Sequence, residues 1–118
     1  MTYASFETEN VPAGVNFILN VQGHAGYAKE GVDIVCVAVS MLVQTLAAAL
    51  IALKPKDAPM IYTANEEKTE MTVWFVANDS LEAERAEAMY SMARVGLEML
   101  EKNYPENVCV TGATEKKH

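Results

Sequence analysis

Two hydrophobic rhythms run along the chain, one of period two and one of period three to four. Tyr3 to Thr8 and Val15 to Gln22 have the first, and the second segment sets Phe17, Leu19 and Val21 on one face, as a half-buried strand does. Asn10, Pro12 and Gly14 lie between them and mark a turn, which predicts a hairpin. Met60 to Ala64 and Glu70 to Ala77 predict a second hairpin across Asn65 to Thr69. In its second strand Met71, Val73, Phe75 and Ala77 alternate with Thr72, Trp74 and Val76.

The slower rhythm predicts two helices. From about Asp33 to Leu53 the chain is apolar on nearly every side until Pro55 and Pro59 forbid continuation. Leu81 to Asn103 is amphipathic. Glu84, Glu87, Ser91, Arg94, Glu98 and Glu101 make one wet stripe, and Leu81, Ala86, Met89, Ala93, Leu97 and Leu100 face the other way. Asp79 with Glu82 reads as a capping box, and Arg94–Glu98 and Glu98–Lys102 as i,i+4 pairs. Tyr104-Pro105 stops this helix, and Asn107 to Gly112 reads as a last strand before a solvated tail. The order β-β-α-β-β-α-β implies an α/β chain of the α+β type. The expectation is one small domain over residues 1–118, with a mixed or mostly antiparallel sheet, one helix deeply buried and one half exposed.

Composition narrows the class. At 118 residues, 51% hydrophobic and 21% charged, the chain has the length and mix of a single globular core. Sixteen acidic against nine basic residues give a net charge of −7, which repels phosphate backbones and anionic lipid. Direct nucleic-acid binding is therefore not expected, and a basic protein or peptide is the better partner. Ile34 to Leu53 is long enough to cross a bilayer but lacks basic and aromatic flanks, so it reads as a core helix and no membrane is expected. Two distant cysteines outside any C-x-x-C make neither a disulfide scaffold nor a zinc site, and MTYASFETEN is no secretory signal. A reducing cytoplasm, no metal and no cofactor are the expectations.

The chemistry concentrates in GHAGYAKEGVDIVC, residues 23–36, which holds the one internal histidine, three of the six glycines and one of the two cysteines. If Asp33 caps the helix, its carboxylate accepts from the N–H of Val35 or Cys36, and Cys36 falls in the first turn. Unpaired N–H groups and the positive end of the helix dipole favour a thiolate there. His24, twelve residues upstream, can return over a loop made pliable by Gly23, Gly26 and Gly31 to hold that thiolate and protonate a leaving amine. Free N–H groups of the same turn, that of Cys36 included, would then face the oxyanion. Each residue also has a plain structural role: Cys36 as a small core side chain, His24 as polar surface, Asp33 as a cap only, Ser40 bonded back to a carbonyl. Cys109 reads as core, and His118 as too mobile to anchor a site.

Gly23-His24-Ala25, Gly31-Val32-Asp33-Ile34-Val35-Cys36 and Ala38-Val39-Ser40 together resemble the signature of the ribosomal-processing cysteine proteases, the Prp family. That resemblance implies a homodimeric endopeptidase that removes a short N-terminal extension from a large-subunit ribosomal protein, cutting after an aromatic residue. By the same resemblance Cys36 is the nucleophile and His24 the general acid/base, while Asp33 is either a helix cap or an orienting acid. Gly23, Ala25, Gly26, Gly31 and Ser40 support the loop and motif. Two alternatives stand beside it: a phage-derived relative that processes capsid or scaffold proteins, and a non-catalytic dimeric module that binds peptides.

Overall fold

The computed structural model describes residues 1–23, 33–54, 61–65 and 70–112. Within them the chain runs β1 (Thr2–Val11), β2 (Gly14–Gln22), α1 (Ile34–Leu53), β3 (Ile61–Asn65), β4 (Glu70–Ala77), α2 (Ser80–Asn103) and β5 (Val108–Gly112). The element order is the one the rhythms predict. The five strands form one sheet in the order β3-β4-β2-β1-β5, in which only β1 and β5 pair in parallel.

The first hairpin is longer than its hydrophobic pattern. Pairing continues past Thr8 to Val11↔Gly14, so Asn10 and Gly14 belong to strands and Pro12-Ala13 alone makes the turn. The polar pair Glu9-Asn10 hides this extension from a hydrophobicity reading, because backbone pairing does not need apolar side chains. Gly14 is required where it stands: its φ is +147°, and a β-carbon there would lie 1.8 Å from the carbonyl oxygen of Ala77.

Ala4, Phe6, Phe17, Leu19, Val21, Val73 and Phe75 face the helices and form one core with Val35, Val39, Val43 and Leu50 of α1 and Ala86, Tyr90 and Leu97 of α2. Tyr90 reaches into that core. Its hydroxyl lies 3.1 Å from the carbonyl oxygens of both Phe17 and Val73, its ring stacks on Phe17 at 5.5 Å, and burial pushes the phenol above its ordinary range.

Both helices lie on the same face of the sheet, which corrects the expectation of one deeply buried helix. β2–α1–β3 and β4–α2–β5 each join parallel strands, but these crossovers travel in opposite directions along the sheet from strands of opposite polarity. Right-handed connections of that kind put both helices on one side. Helix α1 therefore keeps a solvent side, and only 33% of its most apolar window is buried. The helices pack antiparallel and close. Gly96 brings α2 within reach of Leu42, and Lys54 ties the end of α1 to Asn78 and, at 3.1 Å, to Glu82.

Two positions of α2 differ from the helical-wheel reading. Arg94, expected in the wet stripe, is buried with its guanidinium 5.3 Å from the Phe6 ring and its Nε 3.2 Å from Glu98. Its long stem covers the apolar edge of β1, as arginine stems do. Leu81, expected inside, is exposed. Asp79 caps the helix as expected, accepting the N–H of Glu82 at 2.8 Å. The Glu82 carboxylate, however, takes the N–H of Asn78, one residue before the box position.

Candidate active site

The N-terminus of α1 is built around a buried carboxylate. Asp33 is 3% exposed, and its Oδ1 accepts the N–H of Val35 at 2.9 Å and of Cys36 at 3.1 Å. Its extended backbone, with φ −82° and ψ 104°, is that of an N-cap. The cap expected from the sequence is therefore formed. It also corrects one detail, since the Cys36 N–H, expected to be free for an oxyanion, is engaged by Asp33.

Cys36 follows in the first turn, half-buried, where helix N–H groups gather positive partial charge. It opens on a groove of about 270 Å³ lined by Asp33, Cys36, Val37, Ser40, Met41 and Gln44. Ser40, one turn on, donates to the sulfur of Met71 in β4 at 3.9 Å rather than to a carbonyl. Through that contact the helix that carries Cys36 is seated at the end of the sheet where β2 finishes and β4 begins. Sequence reasoning missed Val37, Met41 and Gln44. The intervals 33–37–41 and 36–40–44 were a usable signal, because residues four apart share a helix face.

Gly23 closes β2 with φ +90°, and a β-carbon there would lie 2.4 Å from the carbonyl oxygen of Met1. Only glycine turns the chain at that point without collision. His24, Ala25, Gly26 and Gly31 lie outside the described residues. Cys109 is half-buried in β5 opposite Tyr3, on another strand and away from the groove.

The groove places a thiol, polar side chains and an apolar helix flank along one open surface, which is the arrangement needed to hold an extended peptide beside a sulfur nucleophile. Residues 1–109 match the family model described as cysteine protease Prp. The fold matches the crystal structure of the essential ribosomal processing protease Prp from S. aureus in complex with a covalently linked product peptide. The TM-score is 0.75 at 20% identity, covering 96% of this chain and 100% of that one. The same protease with a substrate peptide gives 0.69 at 18% identity, with coverages of 96% and 100%. SMU.848 from Streptococcus mutans gives 0.67 at 25% identity, covering 95% of this chain and 93% of that one. A search of curated proteins gives no match.

Proposed function

The chain belongs to the family of cysteine protease Prp, and from that membership we propose that it is an endopeptidase acting through Cys36 and His24. Its substrate is the short N-terminal extension of a large-subunit ribosomal protein, cut after an aromatic residue. The observation that carries this reading is the half-buried Cys36 at the capped start of α1, open to a groove with room for substrate side chains.

In the proposed reaction the Cys36 sulfur attacks the scissile carbonyl carbon, forming the C–S bond as the carbonyl π electrons move to oxygen. His24 takes the thiol proton and passes it to the departing amine as the C–N bond breaks. Water, deprotonated by the same imidazole, then attacks the thioester and releases the new carboxyl terminus and the thiol. Asp33 contributes by fixing the first turn, so that the sulfur meets substrate from one direction. With Val35 and Cys36 N–H groups held by Asp33, donors to the oxyanion are to be sought elsewhere in the site.

A net charge of −7 steers a basic polypeptide toward the protein, and ribosomal proteins are generally basic, so the field supports this substrate class. Two fold relatives, structures of a ribosomal processing protease with a product peptide and with a substrate peptide, support it as well. The enzyme is proposed to work as a homodimer in the cytoplasm. The test is incubation with ribosomal proteins of the host, with Cys36→Ser as control and new N-termini read by mass spectrometry. A single cut in one large-subunit protein, absent with the control, is expected; cuts that persist with Cys36→Ser refute the reading.

A further inference from the structure

Phe6, Phe17, Val73 and Phe75 point from the sheet to the helices, and the residues between them alternate to a back face turned away from both. The charge of that face is of one sign. None of the chain's nine lysines and arginines falls in any of the five strands, which hold three carboxylates, Glu7, Glu9 and Glu70. By the alternation all three lie on the back face. Glu70 is engaged by the side-chain amides of Asn20 and Gln22 at 3.1 Å and 3.0 Å, whereas Glu7 and Glu9 are exposed.

Between these acids and β4 lies Asn16, only 6% exposed, whose Nδ2 donates to Glu9 Oε1 at 3.1 Å. A carboxylate only accepts, so this bond fixes which end of the amide is nitrogen and turns Oδ1 away from Glu9. That oxygen is the one buried side-chain polar atom among the described residues without a hydrogen-bond partner. A buried acceptor that takes no donor costs stability, and leucine has nearly the same shape without that cost. Strand register places what surrounds it. Glu9 and Val76 stand directly across from Asn16, and Glu7 and Trp74 one step along on the diagonals. Diagonal cross-strand positions are about 7 to 8 Å apart, within reach of long and aromatic side chains.

We propose that Asn16, Glu9, Glu7 and Trp74 form a binding site for an arginine side chain of a basic polypeptide. A guanidinium donates from a rigid planar fork, so one edge takes the Asn16 Oδ1, another meets the Glu9 or Glu7 carboxylate, and the flat face stacks on the indole. A lysine ammonium answers the charge but has no plane to stack. Because Oδ1 is closed to solvent, entry requires the half-buried Trp74 ring or the exposed Glu9 side chain to turn aside. Six residues separate Asn16 from Gln22, which puts the site about 20 Å along β2 from the sheet end where α1 begins, on the other face. It therefore holds a part of the partner remote from the Cys36 groove, and it rests on the charge and register of the sheet, not on the protease reading.

Trp74 is the only tryptophan of the chain, so its emission reports the site directly. With the Cys36→Ser protein at low salt, an acetylated peptide of four Gly-Arg repeats is expected to change that emission saturably. Four Gly-Lys repeats are expected to bind at least fivefold more weakly. Asn16→Leu is expected to weaken the arginine peptide about tenfold or more while its melting temperature holds or rises, as loss of an unpaired acceptor predicts. Glu9→Gln, at an exposed position, is expected to weaken binding similarly, and it decides the question if Asn16→Leu melts lower than the parent. Arginine binding that survives Glu9→Gln overturns the proposal. Equal affinity for the lysine peptide also overturns it, by marking an acidic surface without a guanidinium site. So does the absence of any saturable emission change or calorimetric heat, or emission that shifts with protein concentration before peptide is added, which puts a second copy on the face.

Discussion

Asp33 Oδ1 lies 3.1 Å from the backbone nitrogen of Cys36, so the acid and the sulfur belong to one turn of helix and not to two elements brought together by folding. The carboxylate thereby acts on the position of the Cys36 sulfur whether or not it also touches an imidazole. Stability and activity separate the two roles. Asp33→Asn keeps an oxygen acceptor at the cap and is expected to stay within a few tenths of a kcal/mol of the parent, whereas Asp33→Ala costs about 1 to 2 kcal/mol in urea unfolding. If Asp33 is only a cap, Asn retains cleavage. A loss of 100-fold or more in kcat/KM for Asn at unchanged stability identifies an orienting acid.

The two cysteines are both half-buried, but only Cys36 sits at a helix start. Iodoacetamide near neutral pH is expected to alkylate Cys36 well before Cys109, read by peptide mass spectrometry. Equal or reversed labelling counts against an activated thiol. Cys36→Ser and His24→Ala are expected to abolish cleavage with melting temperatures within a few degrees of the parent, and near-normal turnover by either removes it from the mechanism.

Glycine substitutions should rank by what their new β-carbon meets. Gly14→Ala and Gly23→Ala collide with backbone oxygens at 1.8 Å and 2.4 Å and also force an alanine into positive φ, so each is expected to cost about 2 kcal/mol or more. Gly96→Ala meets the Leu42 side chain at 2.7 Å, which can rotate, and alanine favours the helix by about 1 kcal/mol. Its net cost is therefore the smallest of the three. Chemical denaturation of the three variants in one buffer checks the order.

Tyr90 gives the protein an alkaline limit. Its folded phenol is raised by burial above the unfolded value of about 10, so below pH 10 both states hold the proton and this group adds no slope. Above pH 10 the unfolded chain releases a proton that the folded one keeps, and stability falls as pH rises. Tyr90→Phe is expected to lose about 1 kcal/mol at pH 7 with the bonds to the Phe17 and Val73 carbonyls, and to flatten the decline measured between pH 9.5 and 11. An unchanged slope excludes Tyr90 as its cause.

The sequence by itself determined the elements, because period two along β2 and β4, period three to four along α2, and the caps at Asp33 and Asp79 are local patterns that the backbone reads within one turn or one hairpin. It also determined the placement of Cys36 in a first turn. Tertiary structure decided what each face meets. That Arg94 lies on Phe6, that Ser40 reaches Met71 and that α1 is open on one side follow from the handedness of two crossovers running opposite ways along the sheet. No run of residues records that handedness. An apolar helix looks the same in sequence whether a sheet covers one of its sides or neighbours cover all of them, and only the packing of the whole chain shows which side is left for another surface.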